Sequence, residues 1–124
     1  FFADDRSAFL RAWIAQPRAV GLVVKQAGAI VGYGLLRPCR NGYKFGPLFA
    51  DAPAFAEMLF HRLGEAVPVG SDVYLDVPAT NPEAVSLAER HGLTPVFETA
   101  RMYTRGEPDI SIAWTYGITT FELG

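Results

Sequence analysis

Leu75-Asp76-Val77-Pro78-Ala79-Thr80-Asn81-Pro82-Glu83-Ala84-Val85-Ser86-Leu87-Ala88-Glu89-Arg90-His91-Gly92-Leu93 is the stretch whose reading decides the fold. Leu75 and Val77 flank a polar Asp76, the alternation of a half-buried strand. Pro78-Ala79-Thr80 is a loop. Asn81-Pro82 is a helix start, because an Asn side chain accepts from the free N–H groups of a first turn and proline has no N–H to lose there. Pro82 to Arg90 reads as the helix that follows. Arg90 and His91 put basic groups in a last turn, and Gly92 suits the left-handed residue that closes a helix. The segment is therefore a strand, a short loop and a helix that stops at a glycine.

Working upstream, Ser71 to Val77 forms the rest of that strand. It is preceded by a helix opening at Asp51-Ala52-Pro53, with Phe55, Met58, Leu59 and Leu63 as its apolar face and Pro68 and Gly70 as its breakers. Before it lie three strands: Ala19–Lys25, Ile30–Leu36 and Tyr43–Phe49. Ala27-Gly28 and Asn41-Gly42 supply the turns between them. Gly32 and Gly34 inside the second strand imply a bulge or a close backbone approach. A first helix runs from a cap at Asp4 or Asp5 to Ala15, with Phe9, Leu10, Trp13 and Ile14 on one face. Downstream, Pro95–Thr104 and Tyr116–Leu123 read as strands separated by a polar loop. The order predicts a mixed α/β fold with helices packed on a central, mostly antiparallel sheet. Its one parallel strand pair joins the strands ending near Phe49 and Val77 through the intervening helix.

The chain has 124 residues, half of them hydrophobic and 19% charged, which fits one globular domain with a sizeable core. A net charge of -2 without a Lys/Arg-rich run argues against a nucleic-acid surface. No stretch has the length and apolarity of a membrane span. The lone Cys39 has no internal disulfide partner, which suits a reducing, cytoplasmic setting. The chain begins at Phe1 and is read as a C-terminal piece of a longer protein, with residues 1–124 as one domain.

The register from Leu75 to Leu93 resembles the signature of the GNAT N-acetyltransferases, roughly L-E-V-x-x-x-N-x-x-A-x-x-L-Y-E-K-x-G-F, without an insertion. The family's strand Glu is here Asp76, and its helix Tyr is Ala88. The element order is also similar to that fold, minus its first strand and first helix. The resemblance implies acetyl-CoA as acyl donor and a small-molecule amine or amino group as acceptor. It implies Asp76 as the general base that frees the amine for attack on the thioester. It implies that the backbone of Leu48, Phe49, Ala50, Ala52 and Ala54, with the Asn81 side chain, holds the cofactor. Asn81 is also a sufficient N-cap by itself. The family's glycine-rich phosphate loop is replaced by Gly46-Pro47-Leu48-Phe49-Ala50-Asp51-Ala52-Pro53-Ala54, in which Asp51 reads as an N-cap and Pro53 lacks a donor. Together with the ending Thr120-Phe121-Glu122-Leu123-Gly124, this segment resembles the divergent second domain of two-domain members.

Two readings of function follow. One is an acetyl-CoA-dependent N-acetyltransferase domain. The other is a non-catalytic domain of the same fold that shapes a substrate site, or mediates dimerisation, for an upstream catalytic domain. A homodimer or an upstream domain is the implied protein partner. With Ala88 unable to protonate a leaving thiolate, Tyr33, Tyr43 and Tyr103 are the remaining phenols considered, each read first as a packing residue. Glu98 and Arg101 are read as strand charges. His61 and His91 lack metal-ligand spacing, so no metal site is expected.

Overall fold

The computed structural model describes residues 7–96 and 111–119. In chain order the elements are α1 (Ser7–Ile14), β1 (Val20–Gln26), β2 (Ala29–Cys39), β3 (Gly42–Ala50), α2 (Pro53–Gly64), β4 (Val73–Leu75), α3 (Pro82–Arg90), a 3-10 turn (Ile112–Trp114) and β5 (Thr115–Gly117). Asp4, Asp5, Glu98, Arg101 and Tyr103 lie outside the described residues, as does nearly all of the strand expected over Pro95–Thr104.

The sheet is mixed and mostly antiparallel, in the order β1-β2-β3-β4, with β5 also on β3. β1 with β2, and β2 with β3, are antiparallel hairpin pairs. β3 and β4 run parallel, but only over Tyr43–Phe45 and Val73–Leu75. Farther along β3, Leu48 and Phe49 pair antiparallel with Gly117 and Thr115 of β5. β2 covers one edge of β3 along its length, so β4 and β5 share the other edge in succession.

α2 packs over β1, β2 and β3. A β-carbon on Gly34 would stand 2.9 Å from Leu48 Cδ1 and 2.9 Å from Leu63 Cδ1, so the absence of a side chain there lets α2 lie close to the sheet. The core joins Leu36, Phe45, Leu48 and Ala50 of the sheet to Ala56, Leu59, Phe60 and Leu63 of α2, to Ala84 and Leu87 of α3, and to Tyr116 of β5. Burying the Leu and Phe side chains among them stabilises the fold by about 1.5–3 kcal/mol each. The inward face of α2 differs from the expected one. Met58 is half exposed, and Phe60 turns inward to stack on Phe45 with ring centroids 4.3 Å apart. Spacing alone allowed either rotation of the helix, and the aromatic contact with β3 selects one.

Asn81 caps α3 through Oδ1, which accepts from the N–H groups of Glu83 (3.1 Å) and Ala84 (3.3 Å). At the other end the Gly92 N–H donates to Glu89 O and the Leu93 N–H to Ala88 O, with Gly92 at φ +72. This is a Schellman closure, and Leu93 packs back on the core. The last turn of α3 is clasped to α2. Glu57 accepts from Arg90 (2.9 Å) and meets His91 Nε2 at 2.5 Å, while the His91 ring tilts against Phe60. Partial burial pushes the Glu57 carboxyl upward, but its hydrogen bonds with Arg90 and His91 and their charges outweigh this and leave it below its ordinary range.

Two outcomes follow. Gly92→Ala meets no atom within 4 Å, so its penalty is that of the left-handed backbone alone. It is expected to lower stability by about 1 kcal/mol in a denaturation curve. Glu57→Gln removes a carboxylate that is bound more weakly by protons in the folded state than in the unfolded one. Its contribution is present above the unfolded value and lost as pH falls through the folded one. The difference from wild type, below about 1 kcal/mol at pH 7 because the pair is partly solvated, should therefore shrink as pH falls below the ordinary carboxylate range.

Candidate functional site

The site implied by the resemblance falls where β3 and β4 part. Leu48, Phe49 and Ala50 lie in the last part of β3 and are fully buried. Ala52 is half-buried and Ala54 exposed on the first turn of α2. The N-cap of α2 is Ala52, without a side-chain cap bond, and Asp51 is exposed and does not cap the helix. The reason is the backbone. The Asp51 N–H donates to Val31 O at 2.9 Å, which keeps Asp51 tied to the sheet and starts the helix one residue later. Proline follows at the first helical position, so that donor is absent from the turn.

Asp76 comes directly after β4 and is buried. Its carboxylate Oδ2 forms an ion pair with Lys44 Nζ, whose residue stands opposite Tyr74 in the β3–β4 register. Lys44 is the charge partner of that oxygen among the described residues, and no further hydrogen bond reaches it there. The expected general base is thus held in a strand-to-strand ion pair. Its backbone O accepts from the Ile118 N–H at 2.9 Å.

Asn81 is 2% exposed and uses both ends of its side chain. While Oδ1 caps α3, Nδ2 donates toward Ile112 O (3.1 Å), Ala113 O (3.3 Å) and Thr115 O (2.9 Å). The carbonyls on one end and the N–H donors on the other fix the orientation of the amide. The carboxamide expected to meet a cofactor is therefore engaged by the chain itself.

Among the phenols, Tyr33 packs its ring against Phe49 at 5.2 Å, and Tyr43 packs on the core. Tyr116 is the phenol that the sequence reading did not connect with the site. It is fully buried on β5. Burial and the charge of Glu83 push its hydroxyl upward, with Arg90 opposing, so it stays protonated. Lys44 was missed as well. The pairing of each depends on strand register, which leaves no local mark in the sequence. Elsewhere, a shallow cavity of about 280 Å³ is lined by Phe60, His61, Gly64, Glu65 and His91. The described residues contain no group of His, Cys, Asp and Glu able to hold a metal, and no helix long and apolar enough to cross a membrane.

Lys44→Met should leave the buried Asp76 carboxylate without its charge partner and lower stability by about 3 kcal/mol. Adding Asp76→Asn to that variant should restore part of the loss. A chemical-denaturation cycle over the four proteins reads the coupling, and strictly additive losses would contradict the pairing.

Comparison with known proteins agrees with this architecture. The chain is 29% identical over 119 residues to a protein named holothin acyltransferase from Pseudoalteromonas sp. (strain SANK 73390), covering 96% of this chain and 40% of that protein. The chain thus spans about two fifths of the length of this relative. No solved structure matches it significantly. Residues 1–117 match the family described as acetyltransferase (GNAT) domain, and on that match the chain belongs to the GNAT acetyltransferase superfamily.

Proposed function

We propose that the chain is a C-terminal domain of an acetyl-CoA-dependent N-acetyltransferase acting on a small-molecule amine, and that this domain frames the acceptor site for an upstream domain without holding the acyl donor itself. The observation that carries this reading is the engagement of Asn81 Nδ2 by Ile112, Ala113 and Thr115. The residues expected to hold the donor fit it poorly as arranged. The outer edge of Leu48 and Phe49 is paired with β5, the Asp51 N–H is bonded to Val31, and Pro53 offers no donor. The exposed Asp51 carboxylate adds repulsion where a pyrophosphate would approach the helix. Ala88 supplies no proton for a leaving thiolate. Acyl transfer comes to the whole protein by analogy with the relative named holothin acyltransferase, two fifths of whose length this chain spans, and the small-molecule amine acceptor is what the resemblance of the Leu75–Leu93 register implies.

A second reading, in which this domain catalyses transfer by itself, is favoured by one observation. Asp76 is buried just beyond β4 where the strands part, at the position to which the sequence resemblance gives the general base. In that case Asp76, acting through a water because its side chain is short, takes the proton of an ammonium acceptor.

Titration calorimetry of residues 1–124 with acetyl-CoA separates the two. The first reading expects a Kd weaker than about 1 mM. Micromolar binding overturns it. Acetyl transfer to a panel of amines that falls with Asp76→Asn, most steeply at low pH where free amine is scarce, would establish the second.

A further inference from the structure

β3 and β4 separate after Phe45 and Leu75, and Thr115–Ile118 of the chain itself lie between them. β5 pairs with β3 at Leu48 and Phe49. From the other side the Ile118 N–H reaches Asp76 O at 2.9 Å. The segment therefore bridges both diverging strands. Gly117 sits in the narrow part, where a β-carbon would stand 2.6 Å from Leu75 Cδ1 and 3.3 Å from Leu48 Cβ. Thr119 is fully buried, and its hydroxyl has no hydrogen-bond partner among the described residues, an unfavourable feature of the segment in this position.

We propose that residues 111–119 are an internal occupant of the gap between β3 and β4, latched by the Asn81 carboxamide, and that they compete there with the pantetheine arm of an acyl-CoA. This rests on acyl-CoA being the donor, as proposed above. A pantetheine arm is an extended chain carrying amides, and an open strand edge pairs with such a chain as it pairs with a peptide strand. The edge groups of Leu48 and Phe49 and the Asp76 carbonyl cannot bond both occupants at once. The two N–H donors of Asn81 Nδ2 are shared among three carbonyls of the segment, and they are its side-chain anchor on α3.

The test separates the latch from the cap. Asn81→Asp keeps an oxygen to cap α3 and turns the other end into a carboxylate oxygen facing three carbonyls. Asn81→Ser keeps a capping oxygen and retains at most one donor for them. Hydrogen exchange on the full chain should show the amides of residues 115–118 exchanging at least tenfold faster in Asn81→Asp, and less so in Asn81→Ser. Protection of α3 and of the β2–β3 pair should be unchanged in both. Calorimetry with acetyl-CoA should show at least tenfold tighter binding to Asn81→Asp than to wild type. Unchanged protection of 115–118 in Asn81→Asp, or its loss only together with α3, overturns the latch. Released 115–118 without tighter acetyl-CoA binding overturns the competition and leaves the acceptor-framing reading in place. Tight binding to wild type with 115–118 still protected overturns both.

Discussion

The structure turns on the separation of β3 from β4. Two parallel strands that part after three paired residues leave the outer edge of β3 facing the interior, along Leu48 to Ala50, where all three residues are buried. Backbone N–H and C=O groups removed from water must find partners, or each costs about 1–3 kcal/mol. β5 meets that requirement, and its place in the fold follows. It needs a small residue where the gap is narrow, which Gly117 supplies, and a large apolar one facing α3, which Tyr116 supplies.

Asn81 joins the two sides of this arrangement because a carboxamide both accepts and donates. As an N-cap alone it contributes about 1 kcal/mol, and Ser or Asp would serve equally well. Neither can cap the helix and also bind a row of carbonyls. Buried to 2% exposure, an Asn with an idle amide would be unfavourable, so the contacts to Ile112, Ala113 and Thr115 are what make this residue compatible with its site. The first turn of α2 shows the contrast. Its N-cap is Ala52, its nearest polar side chain is exposed, and its first helical residue is a proline. One helix start is saturated by the protein, and the other has no side-chain cap.

The legibility of the sequence follows the range of the interactions. α3 was readable from end to end because its cap, its basic last turn and its glycine stop are local signals that agree with one another. The hairpins were readable from Ala27-Gly28 and Asn41-Gly42, although β2 runs on through Pro38 to Cys39, beyond the expected Leu36. The inward turn of Phe60, the brevity of β4 and the N-cap at Ala52 were not readable. Each depends on a partner distant in sequence: Phe45, the parting strands and Val31. For the site, Asp76 and Asn81 were recognisable as positions, while their occupants, Lys44 and the segment around Thr115, were not. Proximity created by strand register leaves no trace in the spacing of residues along the chain.

The Lys44–Asp76 pair bears on what this gap does. An ion pair whose side chains are largely buried is a poor source of net stability, since desolvation offsets most of the Coulomb attraction. Its value lies in what it forbids. With Lys44 on β3 and Asp76 just beyond β4, the two strands cannot slide past one another or part further there without separating the charges. The pair thereby ties the two strands together at the point where the gap opens. A gap that the protein's own strand occupies is a different object from an empty pocket. Its affinity for any external ligand is the difference between two occupants, and a change in the bonds to the internal one shifts that difference without touching the ligand.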